Sequence, residues 1–229
     1  IFDRASALMT PRDMDGKTVL ISAGPTMEAI DPVRYISNHS SGKMGYAVAE
    51  AAEKRGARVH LVSGPVHIPE PVNVDVTRVT SCAQMETAMM ERLPDADIII
   101  KVAAVADFMP RSPKNSKIKK ENAGQDLVIE MDRTTDILKQ IGWTKSKDQF
   151  LVGFAAETDD LEKNALIKMK KKNLDMIAAN LVGGKDTGFK ADTNKVRLFC
   201  RDGNSHDIPL MEKEQVAHIL LDHILEKMG

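Results

Sequence analysis

The sequence has little of what would mark several function classes. Only two cysteines, Cys82 and Cys200, occur in 229 residues, and they lie far apart. They suggest neither a disulfide framework nor a zinc site. The six histidines include no His-x-x-x-His pair, and no Cys-x-x-Cys accompanies them, so the sequence marks no metal-ligand set. Net charge is −1, which gives no global attraction to nucleic acid or to an anionic membrane. No apolar run approaches the roughly 20 residues of a membrane span. The opening Ile1-Phe-Asp-Arg-Ala-Ser lacks the pattern of a signal peptide. A cytoplasmic protein without nucleic-acid or membrane partners is the expectation.

What is present suits an α/β protein. With 42% hydrophobic and 28% charged residues, the composition is that of a globular domain able to bury a substantial core. Lys17 to Ala23 reads as a strand stopped by Gly24-Pro25. Met44, Ala47, Val48 and Ala51 form the apolar stripe of a helix over 43–55, with Ser41 expected to cap it and Gly56 to end it. Arg58 to Ser63 is the next strand, which makes a right-handed crossover and a parallel sheet. Residues 66–76 read as extended and proline-rich, and 81–92 as a helix. Asp97 to Ala106 is apolar almost throughout, as a strand buried on both faces should be.

Further along, residues 110–125 read as a lysine-rich lid, followed by a strand over 127–131 and a short helix over 135–141. A strand (150–155), a helix (160–173) and a strand (175–179) complete another crossover. Lys195 to Cys200 and Asp207 to Leu210 predict a hairpin, and 212–228 a final helix. The fold class that results is α/β: a Rossmann-like, doubly wound, mostly parallel sheet with an appended β-hairpin and C-terminal helix. Residues 1–15 are expected to be a linker or arm and 16–229 the domain.

The stretch Asp31-Pro-Val-Arg-Tyr-Ile-Ser-Asn-His-Ser-Ser-Gly-Lys-Met-Gly45 stands between the first strand and the first helix, where nucleotide-binding α/β proteins hold anions. It fits neither common phosphate-loop pattern. Ser40 replaces a needed glycine in the dinucleotide fingerprint, while Ser37 and Met44 break a Walker motif ending in Gly42-Lys43. Three groups of polar residues are candidates to converge on one crevice. They are Asn38 with Ser40, Ser41 and Lys43, the loop Lys114-Asn-Ser-Lys-Ile-Lys-Lys120, and the pair Lys168 and Lys172 at i, i+4 on one helix face. Asn38 can donate and accept. Lysines on a closing loop suit charge building up in phosphoryl or nucleotidyl transfer, whereas the helical pair is also favoured by the helix dipole alone. Asp107, ending the central strand, is placed to help hold a metal–phosphate complex or a ligand hydroxyl.

Six ordered blocks then carry a resemblance: Ala23-Gly-Pro-Thr26, the 31–45 stretch, Ala103-Ala-Val-Ala-Asp107, Lys117-Ile-Lys-Lys120, Gly153-Phe-Ala-Ala-Glu-Thr158 and Lys172-Asn-Leu-Asp175. From about Gly16 onward the chain closely resembles bacterial phosphopantothenoylcysteine synthetase (phosphopantothenate–cysteine ligase), usually the C-terminal half of a bifunctional coenzyme A biosynthesis protein. The resemblance implies a homodimer, normally fused to a flavin-dependent decarboxylase domain. It would use CTP with Mg2+ (or Mn2+) to join 4′-phosphopantothenate to L-cysteine through an acyl-cytidylate, releasing pyrophosphate and CMP.

The resemblance also implies residue roles. Asn38 and Lys117 would be catalytic. CTP contacts would fall on Lys101, Val102, Ala103, Asp107, Lys117, Thr135, Asp136, Ile137, Leu138, Phe154, Lys168 and Lys172. Substrate and intermediate would meet Arg34, Asn38, Ser40, Ser41, Gly42 and Ala104, with Arg34 reaching across the dimer interface. Metal ligands are left open. Two positions depart from the family pattern: Lys101 stands where a small residue is familiar, and Thr134-Thr135-Asp136 where Asn-Pro-Asp is common. The rival readings are a non-catalytic Rossmann-like regulatory domain, which needs no lysine loop, and a dinucleotide oxidoreductase. The oxidoreductase is disfavoured by the missing glycine fingerprint and by Ser63 where an acidic residue would end the second strand.

Overall fold

The computed structural model describes residues 10–119, 127–157, 160–181 and 191–229. In chain order its elements begin with β1 (Thr18–Ala23), β2 (Met27–Ala29), β3 (Tyr35–Ser37), α1 (Lys43–Lys54), β4 (Arg58–Ser63) and β5 (Asp75–Arg78). Then come α2 (Cys82–Arg92), β6 (Ile98–Lys101), β7 (Phe108–Pro110), β8 (Met131–Arg133), α3 (Ile137–Thr144) and β9 (Phe150–Glu157). The chain closes with α4 (Leu161–Lys171), β10 (Met176–Leu181), β11 (Thr193–Cys200), β12 (Ser205–Glu212) and α5 (Lys213–Met228).

Eight strands form one sheet in the order β12-β11-β10-β9-β6-β1-β4-β5. From β10 to β5 the pairings are parallel, and β11 and β12 add on antiparallel. The predicted hairpin is therefore a continuation of the sheet. Strand alternation divides the core between two faces. Val19, Ile21, Ile98 and Ile100 join the cluster that includes α1 and α5 residues, whereas Leu20 and Ile99 join the one under α2, α3 and α4. Because each central strand is covered on both faces, its apolar run is continuous, as the sequence showed. From β1 the chain winds outward to β4 and β5, then returns to β6 on the other side of β1. That makes β1/β6 the topological switch point.

Four expectations are corrected. The central strand ends at Lys101 rather than Ala106. Beyond it, Gly24-Pro25 turns away from the sheet and leaves only an isolated bridge between Pro25 and Ala104. The strand expected over 127–131 begins at Met131, paired to β7 outside the main sheet; Val128 is 84% exposed, so its alternation faced no core. Ser41 does not cap α1. Gly42 does, at φ 78, and no side chain accepts from the first turn in the manner of a cap. Part of the 31–45 stretch forms strand β3, which pairs with β2 in a hairpin that periodicity did not reveal. By contrast, α2 has the full capping box of Ser81 and Gln84.

Of the expected linker, residues 1–9 lie outside those described, as do lid residues 120–125 and Thr158. Met14 is fully buried, and Asp13 pairs with Arg55 at 2.6 Å. Arg55 is 5% exposed and also bonds Asp222 at 2.7 Å and the His218 carbonyl at 3.1 Å, tying the segment before β1 to α1 and α5. Its bond holds the Asp13 carboxyl below the usual carboxylate range. Arg55→Ala is expected to cost about 2 kcal/mol in urea unfolding, since a buried stem and three bonds are lost while both carboxylates can be rehydrated. An unchanged unfolding midpoint would show the anchor to be idle. Among the described residues, no helix is long and apolar enough to cross a membrane.

Candidate active site

The 30–42 segment owes its shape to Asp31. This carboxylate accepts from the amides of Val33 (2.8 Å), Arg34 (2.8 Å) and Ile118 (3.1 Å), and from the Arg34 guanidinium at 3.1 Å. Burial opposes its charge, yet those amides and the Arg34 charge together hold its carboxyl below the usual range. Arg34 also donates to the Ile118 carbonyl at 3.2 Å, and the Lys114 amide donates to the Ile30 carbonyl at 2.9 Å. The turn at 30–34 therefore clamps the lysine loop. Arg34, expected to meet substrate across a dimer interface, is engaged within its own chain.

Beyond β3 the chain reaches the N-terminus of α1. Gly42 is required there twice over: its φ is 78°, and a Cβ would come 2.6 Å from Val66 Cγ1. Ser40 Oγ accepts from the Gly42 amide at 3.3 Å and Ser41 Oγ from the Lys43 amide at 3.5 Å. The helix start, with its positive dipole end, faces a cavity of about 450 Å³. Asn38, Ser40, Ser41, Gly42, Val102 and Ala104 line this first cavity. Asn38 donates its amide to the Val105 carbonyl at 2.9 Å, and among the described residues nothing donates to its own oxygen, which can accept from a ligand.

A second cavity, of about 430 Å³, adjoins the first. Lys101, Thr135, Asp136, Ile137, Leu138 and Lys172 line it, and Ala103, Asp107, Phe154 and Lys168 line both. Asp136 caps α3 by accepting from the Lys139 amide at 3.1 Å and pairs with Lys172 at 2.9 Å. Burial works against its charge, but Lys172, the Lys139 amide and the charge of Lys168 hold its carboxyl below the usual range. Lys101 is 6% exposed, and burial lowers its ammonium to about 7. Lys117 lines neither cavity and is exposed on the clamped loop; Lys120, the last lysine of its motif, lies outside the described residues.

Lys43 lines the first cavity as expected, but sequence reasoning missed its companions at the far end, Asn180, Asn194 and Lys213. Lys43 pairs with Asp192 at 2.5 Å, and Lys213 Nζ donates to the Ala191 carbonyl. Burial, and then the charge of Lys43, lowers the Lys213 ammonium. One signal was available. Lys43 and Lys213 each begin a helix, where the dipole disfavours a cation. Among the described residues, no cluster of three or more histidine, cysteine or acidic side chains could hold a metal ion.

Comparison with known proteins bears on this arrangement. Residues 14–228 match the model of the DNA/pantothenate metabolism flavoprotein C-terminal domain. The coenzyme A biosynthesis bifunctional protein CoaBC of Bacillus subtilis (strain 168) is 49% identical over 216 residues, 94% of this chain and 52% of that protein. The chain thus spans about half the length of such relatives. A crystal structure of a CoaBC C-terminal domain superposes with a TM-score of 0.80 at 41% identity, covering 94% of this chain and 97% of that one. A Cab2 mutant in complex with phosphopantothenate-cysteine shares the fold (TM-score 0.77, covering 99% of this chain and 92% of that one) at 16% identity. By sequence and by fold, the chain belongs to the DNA/pantothenate metabolism flavoprotein C-terminal domain family.

Proposed function

We propose that this chain is a phosphopantothenoylcysteine synthetase of coenzyme A biosynthesis, joining 4′-phosphopantothenate to L-cysteine at the expense of CTP. The observation that carries this reading is the pair of adjoining cavities at the β1/β6 switch point, which share Asp107, Phe154 and Lys168. The first is lined around a helix N-terminus by the uncharged hydrogen-bonding groups of Asn38, Ser40 and Ser41, with Lys43 and Lys213 at its far end, while the second adds Lys101 and Lys172 to the shared Lys168. A two-step ligation needs such neighbours. The phosphopantothenate carboxylate attacks the CTP α-phosphate and pyrophosphate leaves; the cysteine amine then attacks the acyl carbon and CMP leaves. Oxide is a poor leaving group and CMP a good one, which is why a nucleotide is consumed.

In this reading Lys101, Lys168 and Lys172 bind the nucleotide anion, and Asp107 contacts the nucleotide. Ser40, Ser41, Gly42 and Ala104 receive the pantothenate side, and the Asn38 carboxamide holds the acyl-cytidylate, its second Nδ2 hydrogen donating to a phosphate or acyl oxygen. Lys117 acts at the triphosphate once its loop moves over the second cavity. Mg2+ is commonly held by one or two carboxylates plus phosphate oxygens. Asp107, which has no side-chain hydrogen bond among the described residues, fits that pattern, and the ion would neutralise triphosphate charge. A cytoplasmic homodimer, fused in the whole protein to a flavin-dependent decarboxylase as the bifunctional relatives suggest, completes the proposal. The rival regulatory domain would bind nucleotide without turnover.

The test is pyrophosphate release from CTP with phosphopantothenate and Mg2+, with and without cysteine; no release with any nucleotide would sink the ligase reading. Asn38→Asp is expected to lower the yield of cysteine adduct per pyrophosphate several-fold. It loses the donor to Val105 and turns a negative charge toward a phosphate diester. Unchanged coupling between pyrophosphate and adduct would remove Asn38 from this role.

A further inference from the structure

Lys101 is the one charged residue among the predicted nucleotide contacts that is almost wholly buried, and it has no ion-pair partner among the described residues. It ends β6 at the floor of the second cavity, and its Nζ makes its only polar contact among the described residues with Met85 Sδ, at 3.8 Å. A buried ammonium ordinarily needs a carboxylate or several oxygen acceptors. The groups that face it supply neither. On α2, the Cys82 thiol is itself pushed up by burial and so stays uncharged at neutral pH. Behind that thiol, Glu28 on β2 accepts from the Cys82 amide at 2.8 Å, and Glu86 acts on Cys82 only through its charge. At the start of α3, Asp136 is committed to Lys172 and the Lys139 amide. From the α4 side, Lys168 and Lys172 add further positive charge.

We propose that Lys101 is a proton-taking anion site: largely uncharged when the second cavity is empty at mildly alkaline pH, it takes a proton from solvent when a nucleotide polyphosphate enters. This rests on the reading of that cavity as the nucleotide site. Burial favours the neutral amine, with the ammonium lowered to about 7, and the two nearby lysines act in the same direction. A polyphosphate reverses both effects, since it supplies oxygen acceptors and cancels the charge of Lys168 and Lys172. The ligand is then a phosphate anion rather than a base edge, because four donor-only cations, Lys101, Arg133, Lys168 and Lys172, line this cavity.

Linkage fixes the sign. Nucleotide binding raises proton affinity, so nucleotide affinity must fall as pH rises above about 7. CTP affinity of the wild-type chain is expected to drop about tenfold per pH unit between pH 7 and 9. Calorimetry at pH 8 in buffers of different ionisation enthalpy should show uptake of about one proton per CTP and none with cytidine. Lys101→Met should bind CTP more weakly, with neither slope nor uptake. Lys101→Arg, permanently charged, should restore binding without the slope, and it reads the same property if the methionine variant fails to fold.

A wild-type slope and proton count equal to those of either variant would overturn the proposal while leaving the nucleotide site intact. Equal uptake with cytidine would overturn the phosphate assignment. Failure of the wild-type chain to bind any nucleotide would instead overturn the proposed function.

Discussion

Lys117→Gln is expected to slow CTP-dependent pyrophosphate release by about 10²-fold or more, the scale of losing one charge contact made in the transition state. The loss should fall on kcat rather than on the KM for CTP. Lys117 is exposed and lines neither cavity, so ground-state binding rests on Lys101, Lys168 and Lys172. Contact with the pentavalent phosphorus then comes only when the loop moves, and an interaction made only at that stage lowers kcat without weakening the complex. Lys114 and Ile118, on either side of Lys117, are held by the Ile30 carbonyl and by Asp31 and Arg34, so carrying Lys117 over the cavity means releasing these bonds. Wild-type rates in this variant would make the loop a bystander. A rise in KM alone would make Lys117 an ordinary anion contact.

Gly142→Ala is expected to destabilise the fold by about 3 kcal/mol and to weaken CTP binding, although Gly142 lines neither cavity. A Cβ there would come 1.8 Å from the Lys172 carbonyl oxygen and 2.9 Å from its carbon. Both are backbone atoms at the end of α4, where the chain turns through Asn173 at φ 53, and Asn173 Nδ2 donates to the Gly142 carbonyl at 2.6 Å. The clash therefore cannot be relieved by a side-chain rotation. It must push α3 from α4 and separate Asp136 from Lys172, the 2.9 Å pair that closes one side of the second cavity. Urea unfolding and CTP affinity measure the two effects. Wild-type values in both would mean that the helices do not meet at this glycine.

Much of this was legible in the sequence where the relevant interactions are local or one-dimensional. The six-block pattern named the family. Continuous apolar runs marked the buried strands because both faces of a parallel sheet are covered, and the helix expected from Ser81 begins there, where the structure adds a capping box with Gln84, a contact between near neighbours. The errors arose where a partner distant in sequence decides. Whether the run from Asp97 continues past Lys101 depends on the path of Gly24-Pro25, and where β8 begins depends on β7. Lys43 and Lys213, each a cation at a helix start, were the legible hint of the cavity end that periodicity passed over.

By itself the sequence determined the α/β class and the order of most elements, since periodicity encodes these through neighbouring residues, while most of the residues around the switch point came from the family resemblance that its motifs carry. Only the tertiary structure decided how those residues are divided. It assigned Asn38 and the α1 N-terminus to one cavity and Lys101, Asp136 and Lys172 to the other, engaged Arg34 with Asp31 and Ile118, and left Lys117 outside both. It also buried Lys101 without a carboxylate partner among the described residues. The reason is physical. The environment of a charge is set by what folds against it from distant parts of the chain, and no local spacing carries that information.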